Sequence, residues 1–211
     1  MFSQERFPGV WLLFQHLIGA VREKRRIALS HLGNFESVLE VGCSLGLVSA
    51  AFERLQETMF TGIDIDEQAI SIARSKFGHH KHMKFLNQSL SSLEEEELSF
   101  DFIMFGNVLH HVDDQNSMEM LCVSKRILKP NGRVLIVEPD ILDARDGPIK
   151  RFYYKLEKGK YRRSMQSLVS MANGAGLTVL HKYSVECGAR IMPGMKLSRM
   201  LVVEATFNPA R

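Results

Sequence analysis

Strands and helices alternate along residues 37–139, and this alternation constrains the fold more than any other feature of the sequence. Short apolar runs predict five strands, at 37–41, 59–65, 83–88, 100–106 and 133–139. Helical periodicity between them predicts helices at 47–56, 67–77 and 116–129. Alternation at this spacing is typical of a parallel sheet with helices on both faces.

The last third of the chain follows a different pattern. A helix is predicted at 164–177, and two strands, at 178–185 and 198–207, follow it with only a loop between them. No helix fits that gap, so we expect an antiparallel hairpin at the edge of the sheet. Within the earlier part, we expect Asp66 to cap its helix and Pro130 to stop another, with the Asn-Gly pair behind Pro130 forming the turn.

Composition indicates one domain, spanning residues 1–211, with enough chain for a sizeable core. The net charge of +3 is too weak to indicate a nucleic-acid partner by itself. The three cysteines, Cys43, Cys122 and Cys187, are far apart and form no CxxC pair. We therefore expect reduced thiols, a cytoplasmic location and no metal.

The N-terminal stretch "VWLLFQHLIGAV", residues 10–21, is apolar but is interrupted by Gln15 and His16. It is too short to span a membrane. We predict a helical cap over residues 1–30, with Trp11 on its apolar face. Two interpretations stay open: the helix only packs on the domain, or it also covers a substrate pocket.

The stretch "VLEVGCSLGLVS", residues 38–49, fits two kinds of chemistry. Its G-x-S-x-G spacing is that of a hydrolase nucleophile elbow, which would make Ser44 a nucleophile. Such an elbow follows several strands and borrows an oxyanion hole from an upstream loop. Only one predicted helix precedes Ser44, and no HGGG-like loop is present. The hydrolase interpretation is therefore disfavoured.

The second interpretation is a turn that lets a cofactor approach the backbone. Gly42 and Gly46 permit such a turn, and Asp64 ends the second strand, 24 residues after Glu40. An acid at that place accepts hydrogen bonds from ribose hydroxyls. Leu47 stands where a dinucleotide fingerprint has its third glycine. This favours a nucleoside cofactor without a pyrophosphate.

Four motifs in order resemble class I S-adenosylmethionine-dependent methyltransferases, closest to the small-molecule group typified by quinone-biosynthesis enzymes. They are "VLEVGCSLG", "GIDID", "FDFIMFGNVLHHVDD" and "ILKPNGRVLIVEP", and they cover residues about 37–140. The resemblance implies an α/β Rossmann-like fold: a seven-stranded, mostly parallel sheet with an antiparallel last strand and helices on both faces. It also implies S-adenosyl-L-methionine as cofactor and S-adenosyl-L-homocysteine as product.

The resemblance also assigns roles to residues around the cofactor. Asp64 binds the ribose, Ile65 packs on adenine, and the carbonyl of Asn107 accepts a hydrogen bond from the methionine amine. Ser89 replaces the usual adenine-facing acid, beside Leu90, so that Gln88 or Ser89 must supply the contact to the adenine amino group. The methionine end is held by the acid and turn of the first motif: Glu40, Gly42, Cys43, Ser44 and Gly46. Ser44 replaces the usual middle glycine, which is tolerable if its φ stays below zero.

His110 and His111 follow Asn107 at the reactive end of the cofactor. A histidine there titrates in the range of a general base. The alternative is that one histidine caps the loop and the other packs on the cofactor. Asp113 and Asp114 are expected to form the N-cap region of the next helix.

Residues 141–163 are longer than a simple connection and predict a lid insertion. They contain eight Lys/Arg, and aromatic residues lie between these charges. The basic residues form either a solvated face or a site for an anionic or carrier-bound acceptor. The candidate substrate residues are Trp11, Tyr153, Tyr154, Arg162 and Arg163.

These features together favour methylation of a small metabolite or natural product, more at oxygen than at carbon or nitrogen. Residues 107–110 read "NVLH" rather than an N-P-P-Y-type loop, which disfavours methylation of nucleic-acid bases. Two alternatives stay open: an RNA or other nucleic-acid methyltransferase that uses the basic 145–163 segment, and a non-catalytic module. The sequence does not specify the acceptor, the pathway or the oligomeric state.

Overall fold

Seven strands form one sheet in the computed structural model, which describes residues 20–144, 146–156, 159–188 and 196–207. The strand order is β3-β2-β1-β4-β5-β7-β6. Neighbours among β1 to β5 pair in parallel, and β7 is antiparallel to both β5 and β6. The strands are β1 (Ser37–Val41), β2 (Met59–Asp64), β3 (Met83–Asn87), β4 (Phe100–Gly106), β5 (Leu128–Pro139), β6 (Thr178–Gly188) and β7 (Lys196–Thr206). The predicted fold class and the edge hairpin are confirmed.

Helices cover both faces of this sheet. The described helices are α1 (Ala20–Leu32), α2 (Glu67–Phe77), α3 (Leu90–Glu95), α4 (Asp114–Arg126), α5 (Pro148–Leu156) and α6 (Met165–Gly174). Apolar side chains of α1 and α2 share one buried cluster with the sheet. Those of α3, α4 and α6 share the other. The two clusters give the three-layer arrangement that an alternating sequence predicts.

The predicted helix at 47–56 is wrong. The only regular element there is a short 3-10 turn, Ser49–Ala51, and successive amides bond to carbonyls three residues back, as from Phe52 to Ser49. Two side chains engage the start of the segment. The Nε–H of Arg25 donates to the carbonyl of Leu47 at 2.7 Å, and the Ser49 hydroxyl donates to Glu40. These contacts depend on tertiary structure, so helical periodicity alone gave the wrong result.

The predicted helix at 116–129 is shifted. Helix α4 begins two residues earlier, at Asp114, and ends at Arg126, before Pro130. Pro130 lies inside β5, where the register jumps between the pairs of Leu128 with Phe100 and of Arg133 with Phe102. The extra residues, including the predicted Asn-Gly turn, form an irregularity in the strand, which is where proline is tolerated.

The N-terminal cap and the lid are only partly within the described residues. Residues 1–19, which include Trp11, lie outside them, whereas Ala20–Leu32 form α1. In the predicted lid, Pro148–Leu156 form α5 and Arg145 is not described. Among the described helices, none combines the length and apolar character required to cross a lipid bilayer.

The cap of α2 gives a stability prediction. The Asp66 carboxylate accepts hydrogen bonds from the amides of Gln68 and Ala69, at 2.9 and 3.1 Å, as the sequence predicts. Asp66→Ala removes these acceptors and is expected to lower the free energy of unfolding by about 0.5–2 kcal/mol. Urea denaturation measures the loss. Asp66→Asn keeps a cap acceptor and should stay close to the wild type, and an equal loss in both variants would contradict the cap assignment.

Candidate functional site

The candidate site lies at the carboxyl ends of three adjacent strands. Strand β1 pairs in parallel with β2 on one side and β4 on the other. The turn after β1, the acid that ends β2 and the loop after β4 therefore meet at one edge. In open α/β sheets this edge is where ligands bind.

The turn after β1 needs its two glycines for backbone conformation and for space. Gly42 has φ +68° and Gly46 has φ +75°. A Cβ at Gly42 would lie 2.5 Å from the side chain of Val108, and one at Gly46 would lie 2.8 Å from that of Phe77. Both values are below normal van der Waals contact, so the tight packing around this turn requires glycine at both places.

Ser44 adopts φ +48°, so the condition under which serine would be tolerated here without strain, a negative φ, is not met. Its backbone N–H donates to Oδ2 of Asp64 at 2.9 Å, and this bond fixes the turn in the left-handed region. A non-glycine residue carries a cost in that region, because its Cβ crowds the following carbonyl. Cys43, beside it, is 3% exposed, and burial raises the pKa of its thiol.

Asp64 joins the two loops that border the site. Its Oδ2 accepts from the amide of Ser44 and its Oδ1 from the amide of Asp66, both at 2.9 Å. The next residue, Ile65, is 82% exposed, although it is a large apolar side chain. An acid and an exposed apolar surface therefore lie side by side at the end of β2, as the ribose and adenine roles require.

The loop after β3 differs from the predicted arrangement. Ser89 uses its hydroxyl to cap α3, accepting from the amide of Ser92, and Leu90 is buried in the core. The Nε2–H of Gln88 donates to Oε1 of Glu96 at 2.6 Å. Its Oε1 is buried and has no hydrogen-bond partner among the described residues. Gln88 rather than Ser89 is thus the side chain with an unused acceptor at this end.

Asn107 provides a second unused acceptor, after β4. Its φ is +64°, and its backbone N–H donates to the carbonyl of Val137 at 2.8 Å. Its Oδ1 is buried without a hydrogen-bond partner within the described part of the chain. Buried acceptors are normally satisfied, so an orphan of this kind at a strand edge points to a ligand donor.

Glu40 is the buried acid of the site, at 2% exposure on β1. The Ser49 hydroxyl donates to its Oε2 at 2.5 Å. Burial raises the pKa of Glu40 to about 7, although the Ser49 hydrogen bond and the charge of Lys24 act in the opposite direction. The carboxyl is therefore partly protonated at neutral pH and sensitive to any new charge beside it.

Glu138, which the sequence analysis missed, organises the loop after Asn107. Its carboxylate is 2% exposed and accepts the backbone N–H groups of Val108, Leu109 and His110, at 2.8, 2.7 and 3.2 Å. Nδ1 of His110 lies 2.6 Å from its Oε2. The one sequence signal was an acid inside the apolar run of β5, where an unpaired charge is costly.

The two candidate base histidines have different environments. His110 is 1% exposed and lies against Glu138, whereas His111 is exposed. Their rings lie 4.0 Å apart between centroids. The following acids behave as predicted, because Asp113 is the N-cap of α4 and accepts from the amide of Asn116.

The candidate substrate residues are only partly brought together. Arg163 is 6% exposed, and its guanidinium donates to the carbonyls of Leu109 and Val112 and to Asp114. Tyr154 is buried, with the guanidinium of Arg162 4.7 Å from its ring centroid. The side chain of Tyr153, like Trp11, lies outside the description. Arg163 and Tyr154 thus support the loops around the site, a role that only tertiary contacts reveal.

An open cleft of about 490 Å³ lies between residues 160–164, Ile141 and Asp114. Its lining comes from the loop after β5, the start of α4 and the segment before α6. The lining residues are Asp114, Ile141, Lys160, Tyr161, Arg162, Arg163, Ser164 and Ser167. No group of histidine, cysteine or acidic side chains within the described ranges could hold a metal ion.

Comparisons with known proteins identify the fold family. A family model described as a methyltransferase domain matches residues 38–132. Residues 38–132 are therefore similar to this family, and we refer to them as the methyltransferase domain. The match extends from β1 to the start of β5 and includes the glycine turn, Asp64 and Asn107. The match agrees with the resemblance of the sequence motifs to class I S-adenosylmethionine-dependent methyltransferases.

A curated relative is similar in sequence to part of this chain. The Ubiquinone biosynthesis O-methyltransferase of Coxiella burnetii (strain RSA 493 / Nine Mile phase I) is 32% identical over 127 residues. The match covers 56% of this chain and 50% of the relative, so the chain matches half the length of that protein.

Two solved structures share the fold of the methyltransferase domain. The 1,6-didemethyltoxoflavin-N1-methyltransferase of Burkholderia thailandensis, with bound 1,6-didemethyltoxoflavin and S-adenosylhomocysteine, has a TM-score of 0.71 at 22% identity, covering 98% of this chain and 84% of its own. The cyclase SpnF has a TM-score of 0.70 at 15% identity, covering 90% and 82%. These likenesses show the fold alone.

The strained turn of the methyltransferase domain gives a prediction. Ser44→Gly relieves the cost of a positive φ while keeping the amide that bonds to Asp64. We expect the free energy of unfolding to rise by about 0.5–1 kcal/mol. Chemical denaturation measures the gain. Ser44→Ala keeps the strain and should show no gain, and a less stable glycine variant would contradict the strained-turn account.

Proposed function

We propose that the chain is a methyltransferase that uses S-adenosyl-L-methionine to methylate a small molecule, at oxygen. The observation that carries this proposal is the set of acceptors along one sheet edge. Gln88 Oε1 and Asn107 Oδ1 are buried without partners among the described residues, and Asp64 lies on β2, between their strands in the sheet. Adenine, ribose and methionine amine carry hydrogen-bond donors in that order.

The residues at this edge match the adenine, the ribose and the methionine part of the cofactor in turn. The amide oxygen of Gln88 would accept from the adenine amino group, and exposed Ile65 would pack on the adenine face. Asp64 would accept from the ribose hydroxyls. Asn107 would accept a hydrogen bond from the methionine amine, and the glycine turn would let the cofactor lie against the backbone.

Methyl transfer from the cofactor's sulfonium is an in-line displacement, so the chain's main task is to position the acceptor opposite the sulfur. Positioning of this kind is worth on the order of 7–11 kcal/mol. A hydroxyl acceptor also has to lose a proton. His111 is exposed beside the site, whereas His110 is buried against Glu138. We therefore assign the general-base role to His111.

The acceptor would enter the open cleft, whose lining residue Tyr161 hydrogen-bonds to His110, the neighbour of His111. Ile141 and Tyr161 supply apolar and aromatic surface there, and Lys160 and Arg162 supply positive charge. This lining suits a small aromatic hydroxyl compound that carries an anionic group. The basic residues on α5 contribute less, because Lys150 pairs with Asp146 at 2.7 Å within its own segment.

The nucleic-acid alternative is disfavoured because other basic side chains of this segment also have partners within the protein. The guanidinium of Arg163 already donates to the carbonyls of Leu109 and Val112 and to Asp114. Arg151 donates to the carbonyls of residues 143 and 146. A surface that binds phosphates needs its cations available to the backbone. The non-catalytic alternative has one support, which is that a fold by itself does not imply an activity.

Methyl transfer is tested directly with methyl-labelled S-adenosylmethionine. The protein is incubated with a panel of phenolic acids and catechols plus a small-molecule cell extract, and with total RNA in a parallel reaction. We expect label in the small-molecule fraction and release of S-adenosylhomocysteine. Label in RNA would favour the nucleic-acid alternative, and the absence of transfer to any acceptor would favour the non-catalytic one.

Asp64 gives the first prediction from this proposal. Asp64→Ala removes a charged acceptor from the ribose and two hydrogen bonds from the turn. A charged hydrogen bond is worth about 1.5–3 kcal/mol, so S-adenosylhomocysteine should bind roughly ten- to a hundredfold more weakly. Calorimetry measures the affinity. Asp66→Ala, in the same loop, is the control and should bind nearly as wild type, and unchanged affinity in Asp64→Ala would refute the ribose assignment.

Glu40 gives a pH prediction. Its pKa in the free protein is raised to about 7 by burial. We propose that Glu40, together with Asn107, contacts the methionine ammonium of the ligand, as the motif resemblance implies, and this charge would favour the ionised form. Binding therefore lowers that pKa and releases a proton. Affinity for S-adenosylhomocysteine should rise with pH up to about 7 and then level. Glu40→Gln should flatten this profile, and a wild-type profile without slope below pH 7 would contradict the contact.

A further inference from the structure

Glu138 binds four donors from one short loop. The backbone N–H groups of Val108, Leu109 and His110 and the imidazole Nδ1 of His110 all lie within 3.2 Å of its carboxylate. Consecutive amides that converge on one anion form a concave, positively polarised site. A buried carboxylate is tolerated only when its oxygens are satisfied in this way. The loop is thus shaped around Glu138.

One end of this loop contacts the cofactor side of the proposed site. Asn107, the residue before the three amides, is held at φ +64° with its own N–H on the carbonyl of Val137. Val108 lies so close to Gly42 that a Cβ there would meet its methyl group at 2.5 Å. The Glu138 carboxylate therefore holds the loop that directly follows Asn107, together with the Val108 side chain that forms one wall of the glycine turn.

The other end of the loop contacts the acceptor side. The carbonyl of His110 accepts from the amide of Tyr161 at 2.9 Å. A Cβ at Gly159 would lie 2.0 Å from Cδ2 of the His110 ring, so the backbone at Gly159 packs directly on that ring. Residues 160–163 line the cleft. His110 therefore connects Glu138 to the wall against which the acceptor would lie.

We propose that Glu138 is a positioning residue that couples the cofactor side of the site to the acceptor side, with His110 as the connecting element rather than the proton acceptor. This inference rests on the proposed function. It assigns a common support to Asn107 and to the segment at Gly159–Tyr161. A change on the acceptor side should then alter cofactor affinity, although the altered residue does not touch the cofactor.

The decisive experiment perturbs the acceptor side alone. Gly159→Ala pushes a methyl group into the His110 ring, whereas Gly147→Ala, in the same segment, meets nothing within 4 Å and is the matched control. S-adenosylhomocysteine is titrated calorimetrically into each variant. Overpacking of this kind should weaken binding roughly fivefold or more in Gly159→Ala and leave Gly147→Ala within about twofold of wild type.

A second pair of variants tests Glu138 itself. Glu138→Gln keeps the shape but turns an amide NH₂ toward backbone donors, and should weaken S-adenosylhomocysteine binding roughly ten- to a hundredfold. Glu204→Gln is the control, because Glu204 is equally buried at 1% exposure and pairs with Arg133 on β5 rather than with the loop. Both variants should lose stability, but only the first should lose affinity.

The outcomes separate this inference from the proposed function. If wild-type protein does not bind S-adenosylhomocysteine, the proposed function fails. If wild type binds and Gly159→Ala binds equally well, the coupling is refuted while the function stands. If Glu138→Gln does not fold, the glycine pair still decides. Equal affinity losses in Glu138→Gln and Glu204→Gln would also overturn the inference, because they would show a general effect of destabilisation.

Discussion

The carboxylate of Glu138, buried beneath the loop after β4, is the interaction on which the site depends. Four donors from three consecutive residues converge on it. A charge in this environment is stable only with such partners, so the loop and the carboxylate fix each other. The loop held by Glu138 directly follows Asn107, packs on the glycine turn through Val108 and contacts the acceptor side through His110.

The strand pattern and the glycine turn could be predicted from the sequence, because both follow from local rules. Strand β1 ends as expected, Asp66 caps α2, and Gly42 has the positive φ that a turn requires. The predictions failed where distant side chains decide the outcome. Arg25, distant in sequence, donates to the carbonyl of Leu47, and the segment that follows forms only a 3-10 turn. Glu138 and Arg163 were missed as supports for the same reason.

The fold itself leaves the chemistry open. A methyltransferase and a cyclase share this architecture at TM-scores of 0.71 and 0.70. What favours methyl transfer here is the residue set at one sheet edge. Gln88 and Asn107 each hold a buried acceptor without a partner in the described residues, with Asp64 between their strands. Function is thus argued from the site, as fold likeness alone does not decide it.

The most direct test is a structure of the protein with S-adenosylhomocysteine bound. The account predicts adenine beside Gln88 and Ile65, ribose hydroxyls on Asp64, and the methionine amine at Asn107. The sulfur should face the cleft at Ile141 and Tyr161. A ligand bound elsewhere, or bound at this edge with its sulfur turned away from the cleft, would contradict the account.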